Sequence, residues 1–98
     1  MIIMSIENSS KLITHVAIRF NGKIYSLPKP NRHHNVIWKI VEETKIKSIA
    51  VYGNDQGFLD STGKYLTRKE ALDIALNNGQ IRSDRPIYNN ELFSENLW

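Results

Sequence analysis

Leu12-Ile13-Thr14-His15-Val16-Ala17-Ile18-Arg19-Phe20, then Asn21-Gly22, then Lys23-Ile24-Tyr25-Ser26-Leu27 is the stretch whose reading decides the fold. Leu12, Thr14, Val16, Ile18 and Phe20 alternate with Ile13, His15, Ala17 and Arg19, and a period of two is the signature of a half-buried strand, here with the first set facing the core. Asn-Gly tolerates positive φ at both central positions of a type I′ turn, so Lys23 to Leu27 is expected to return as the partner strand. Pro28 and Pro30 remove two backbone donors and hold their predecessors extended, so the pairing stops there.

Working outward, Asn31 is placed to cap a helix. His34, Ile37, Trp38 and Val41 fall at i, i+3, i+4 and i+7, one face of a helix expected from Arg32 to about Thr44. Residues 46–52 are rich in β-formers and read as a short strand. After the turn-rich Gly53-Asn54-Asp55-Gln56-Gly57, the segments Phe58-Leu59-Asp60 and Lys64-Tyr65-Leu66 flank Ser61-Thr62-Gly63 as a second hairpin. Thr67-Arg68-Lys69-Glu70 is a capping box, Ala71, Ile74, Ala75 and Asn78 continue one face, and Gly79 supplies the left-handed residue that ends the second helix. Residues 1–10 read as a loosely packed arm. Residues 86–98 read as a tail packing on the domain or on a neighbouring subunit.

The sum is one α+β domain over residues 1–98, a small antiparallel sheet with two helices on one face, in the order β-β-α-β-β-β-α. The other sheet face is left for self-association to cover, with Leu92, Phe93, Leu97 and Trp98 as the expected oligomer interface.

Composition narrows the function. Ninety-eight residues suffice for one core. With no cysteine there is no disulfide framework, thiol nucleophile or cysteine-type zinc site. No apolar run is long enough to span a bilayer, so a membrane is not an expected partner and a reducing cytoplasm fits. The formal charge of +3 and pI near 9.3 favour anionic partners, but the basic residues are dispersed and the densest group, Lys39, Lys45 and Lys47, surrounds a helix end, so no DNA or RNA polymer is expected.

Arg32-His33-His34 first suggests a metal or an acid–base catalyst. Adjacent helical side chains diverge by about 100°, and no His-x3-His or Glu-x-x-His spacing supports them, so no metal and no cofactor is expected. Nucleophile elbows, Walker loops and Gly-x-Gly-x-x-Gly are all absent, and no catalytic residue is assigned. An arginine and a histidine at a helix N-terminus instead make a phosphate-recognition site. Arg68 repeats the arrangement at the second helix. Between them, Gln56 reads as a group for a base edge, with Gly57 beside it, and Phe58 as a stacking platform or a core residue.

The residues Ile24 to Ile37, Gln56-Gly57-Phe58, Gly63-Lys64-Tyr65, Arg68-Lys69-Glu70-Ala71, Gly79-Gln80 and the ending Leu92-Phe93-Ser94-Glu95-Asn96-Leu97-Trp98 resemble a widespread family of small phage-encoded accessory proteins, from about Thr14 to Trp98. Members of that family resemble anti-CBASS sponge proteins, homo-oligomers that bind cyclic dinucleotides such as 3′,3′-cyclic GMP-AMP without cleaving them. The resemblance implies a nonenzymatic immune-evasion protein in the cytoplasm of the infected bacterial host, assembled as a dimer or tetramer. The family's usual ending carries an acidic residue where this chain has Asn96. On this reading Arg32 with His33 or His34 contacts phosphate, Gln56 a base edge, Phe58 a base face, and Arg68 a second phosphate or a neighbouring subunit. Replacing Arg32 or Arg68 by Ala is then expected to weaken nucleotide binding and leave the unfolding midpoint nearly unchanged. A sponge for TIR-derived cyclic ADP-ribose isomers and a protein-directed inhibitor of a host defence enzyme are the competing expectations.

Overall fold

The computed structural model describes residues 12–46, 55–82, 84, 86–87 and 89–98. The expected arm over 1–10 and, apart from Ile46, the expected strand over 46–52 lie outside them. Strands β1 (Ile13–Phe20), β2 (Lys23–Pro28), β3 (Gln56–Asp60) and β4 (Tyr65–Thr67) form one antiparallel sheet in the order β2-β1-β3-β4. Helix α1 (His33–Thr44) joins β2 to β3, and helix α2 (Arg68–Asn78) follows β4 directly. A 3-10 turn, Ser94–Asn96, lies in the segment that follows α2. This is the α+β architecture the periodicities predict.

The hairpin forms as expected, with Asn21 and Gly22 both at positive φ and Phe20 opposite Lys23. Val16, Leu27, Phe58 and Leu66 are successive register partners across all four strands, and Ile18 pairs Tyr25. These residues share one core with Val36 and Ile40 of α1 and with Ala71, Leu72 and Ala75 of α2, so both helices lie on that face. On the opposite face the Tyr65 ring lies across Gly57, and the Arg19 guanidinium sits 5.0 Å from the Tyr65 ring centre. An aromatic laid over a strand glycine replaces the packing that the missing side chain cannot provide.

Two expected faces are corrected. In β1 the ladder shifts register between Ile13 and His15, which turns Ile13 into the core and leaves Leu12 43% exposed. The Gln80 carboxamide completes the irregular ladder, accepting from Ile13 N at 2.7 Å and donating to Ile13 O at 3.0 Å, as a neighbouring strand would. In α1 the inward set is His33, Val36, Ile37 and Ile40, one residue out of phase with the expected one. Trp38 is therefore 66% exposed and exposed His34 meets it edge-on. Both sets satisfy the same helical spacing, so periodicity alone could not choose.

The helix starts differ as well. At α1 the N-cap position is Arg32, whose N–H donates to Asn35 Oδ1 at 2.9 Å. Asn31, the expected cap, turns its amide back to Pro28 O instead. At α2 the capping box is as expected: Glu70 N donates to Thr67 Oγ1, and Thr67 N donates to the Glu70 carboxylate.

The β2 edge is blunted. Lys29 N donates to Thr14 O, which sets the antiparallel alternation so that Ser26 and Pro28 turn their main-chain groups outward. Lys39 Nζ donates to Ser26 O, Asn31 donates twice to Pro28 O, and Pro28 has no N–H to offer. A strand edge treated in this way resists pairing with another chain.

Candidate functional site

Six of the seven residues expected at a ligand site are brought together where the N-termini of both helices meet β3. Gly57 is the hub. Its register partner is Thr67, the cap of α2, and its carbonyl receives His33 Nε2 from α1 at 2.8 Å. A carbonyl only accepts, so Nε2 carries the proton. The His33 ring meets Phe58 edge-on, with centroids 5.1 Å apart. Arg68 Nη2 donates to Gln56 Oε1 at 2.5 Å, and its guanidinium lies 4.3 Å from the centre of the Phe93 ring. His34 does not join them, because it projects from the outer side of α1 with Trp38.

The segment 92–98 closes over this cluster. Arg32 donates to Ser94 Oγ at 3.2 Å and to the main-chain oxygen of Trp98. The Trp98 indole donates to Asn31 O at 2.8 Å, and Leu92 N donates to Arg68 O. Leu92 is fully buried and Leu97 nearly so, both in the chain's own core, while Phe93 and Trp98 are half-buried. Asn96, also buried, accepts from Phe93 N and donates to Pro86 O. An acid at this position could make the first bond but not the second.

The structure decides between the expectations for Phe58 and overturns one for Arg32. Phe58 is 0% exposed, so of its two expected roles it takes that of core residue and presents no face for a base to stack on. Arg32 binds the chain's own terminal segment, so its replacement by Ala removes two charge-assisted hydrogen bonds and lowers stability as well as any affinity, against the expectation of an unchanged midpoint. Sequence reasoning gave no ligand role to Asn31, Phe93 or Ser94. Their only signal was their place in the motifs that carry the phage-family resemblance.

Burial pushes the His33 imidazole below its ordinary value of 6.5; the bond to Gly57 O opposes this and the Arg68 charge adds to it. The folded state thus favours neutral His33, whereas the unfolded chain takes up a proton at about 6.5. The contribution is fully present above pH 6.5 and is lost as pH falls below it toward the lower folded-state value. The urea midpoint is expected to drop between pH 7.5 and 5.5, and His33→Gln, which keeps a donor for Gly57 O, is expected to flatten that drop. An equal drop in the variant would assign it to other groups.

Burial also lowers the Arg68 pKa, with Glu91 and Glu95 opposing. Arg68 Nε is buried and has no acceptor. A charged donor left unpaired in this way costs free energy. No group of three or more His, Asp and Glu side chains is placed to hold a metal among the described residues.

A four-stranded sheet backed by two helices, with a cationic cluster clasped by the chain's own end, defines a small α+β protein built around arginine donors. Residues 12–98 match the family model described as phage T4 y16D protein, and the chain belongs to that family. It is a small phage protein, as the sequence motifs imply. No curated protein and no solved structure matches it. No helix among the described residues is long and apolar enough to cross a membrane.

Proposed function

We propose that this phage protein works by binding rather than by chemistry, taking up a cyclic nucleotide signal, a cyclic dinucleotide such as 3′,3′-cyclic GMP-AMP, and so withholding it from a CBASS-type host defence. The observation that carries the reading is the unspent, buried Nε–H of Arg68 in a cluster that also holds Arg32, His33 and Gln56 at two helix N-termini. Guanidinium forks and free helix amides are matched to phosphate oxygens. Sequestration needs affinity and copy number only, so the absence of a nucleophile–base pair from the reading is no obstacle to it.

A thermal-shift titration against cyclic dinucleotides, cyclic trinucleotides and cyclic ADP-ribose isomers tests this. A ligand at a hundred times its dissociation constant stabilises the native state by about 2.7 kcal/mol, about 10 °C or more for a domain of this size. The bound nucleotide should be recovered intact after boiling. Arg68→Lys should weaken binding at least tenfold when measured well below the unfolding midpoint, because an ammonium cannot reproduce the fork. Cleaved product would instead make the protein an enzyme, and a shift with cyclic ADP-ribose isomers alone would change the ligand class.

A second reading, a protein-directed inhibitor, is favoured by Trp38, 66% exposed on α1 with His34 against it. Exposed tryptophans are frequent anchors of protein interfaces. No shift with any nucleotide, together with a host protein whose capture is lost in Trp38→Ala, would move the function to that surface.

A further inference from the structure

We propose that Trp98 is a latch on the arginine cluster, closed in this structure, and that it must open for a phosphate-bearing ligand to be held. The inference rests on the nucleotide-binding reading above and concerns how that site is controlled.

Arg32 spends its fork on the chain itself, one nitrogen on Ser94 Oγ and the other on the main-chain oxygen of Trp98. The second of these is an oxygen acceptor held where a phosphate oxygen would be held, so the chain's end occupies the ligand's place on Arg32. Arg68, across Gly57, is covered on its planar face by Phe93 and keeps one buried donor unmet. With the segment closed, both terminal nitrogens of Arg32 are occupied and cannot offer the bidentate geometry that phosphate recognition uses.

The segment is not equally anchored along its length. Leu92 and Leu97 are buried in the core and hold it down. Trp98, next after Leu97, is only half-buried and is attached through its indole bond to Asn31 O and its main-chain bonds to Arg32 and Ser94. Swinging this residue away frees Arg32 Nη2 and leaves the Ser94 bond and the leucine anchors in place. A phosphate oxygen then takes the place of the Trp98 main-chain oxygen on the same donor. Because the closed latch excludes the ligand, apparent affinity is reduced by the fraction of molecules that are open.

The chain has two tryptophans, so Trp38→Phe leaves Trp98 as the sole emitter at an exposed site whose loss disturbs no core packing. Titrating this variant with 3′,3′-cyclic GMP-AMP should shift Trp98 emission to the red and increase its quenching by acrylamide. Trp98→Gly, which removes the indole anchor, should bind the same nucleotide at least fivefold tighter than the unaltered chain. Binding with unmoved Trp98 emission and unchanged affinity in Trp98→Gly overturns the latch and leaves nucleotide binding standing. Binding by Trp98→Gly but not by the unaltered chain supports the latch, held shut. If Trp98→Gly does not fold, the emission shift decides alone, and no binding by the unaltered chain in that case, or by either protein, overturns the latch together with the binding reading.

Discussion

Phe58→Ala is expected to cost about 3 to 5 kcal/mol of folding stability, the range for removing a fully buried aromatic ring. For a domain whose whole stability lies in the range of about 5 to 15 kcal/mol, that is a large share. The ring is 0% exposed, at the centre of the sheet between Val16 on β1 and Leu66 on β4, and closes the floor beneath His33. The loss should appear as a lower urea midpoint with little change in slope. A variant that unfolds at the same midpoint but binds nucleotide poorly would return Phe58 to the role of a stacking platform and displace it from the core. Phe58→Leu, which keeps most of the apolar volume, should recover much of the loss.

Gly57→Ala is the second large effect. A Cβ built at this position collides with the carbonyl oxygen of Leu66 and comes within 2.6 Å of the Tyr65 hydroxyl. The Leu66 oxygen is main chain on the adjacent strand, so it cannot rotate away, and the strands must part. Overpacking of this kind typically costs 1 to 3 kcal/mol, and occasionally more; against a fixed main-chain atom we expect about 3 kcal/mol. The same displacement would move the carbonyl that His33 binds and the cap of α2, so the pH dependence assigned to His33 should weaken with it. Gly22 provides the contrast. Its φ is +76° but nothing lies within 4 Å of a Cβ placed there, so Gly22→Ala should cost only about 1 kcal/mol, for the left-handed backbone alone. Chemical denaturation of the two variants side by side separates close approach from backbone conformation. Equal losses would mean that Tyr65 and β4 yield without cost.

Local signals read correctly from the sequence share a feature: the interaction that fixes each lies within a few residues. Asn21-Gly22 defines its own turn, Thr67 and Glu70 satisfy each other's amides three positions apart, and Gly79 ends α2 with its own positive φ. The candidate site was legible to the extent that Arg32, His33, Gln56, Gly57, Phe58 and Arg68 converge on one place. Their roles were not, because a role depends on what else is there. Of the two roles open to Phe58 the fold took core, and Arg32 became the partner of a segment more than sixty residues away.

Alternation, capping chemistry and motif order were enough for the hairpin, the second helix with both its ends, the α+β class and the phage family. Tertiary structure alone decided the rotation of α1 by one residue, the face to which Ile13 turns, and the use of the final segment. In each of those cases two local solutions were nearly equal in energy. His33, Val36, Ile37 and Ile40 make as good a helical stripe as His34, Ile37, Trp38 and Val41, and either phase of β1 puts isoleucine or leucine inward at its start. The choice was made by distant partners: the Gly57 carbonyl for His33, the Gln80 carboxamide for Ile13, and, for residues 94–98, the Asn31 carbonyl that accepts from the Trp98 indole and the Arg32 guanidinium that donates to Ser94 and Trp98. Such contacts join residues that no local pattern relates, so they become visible only when the chain is folded.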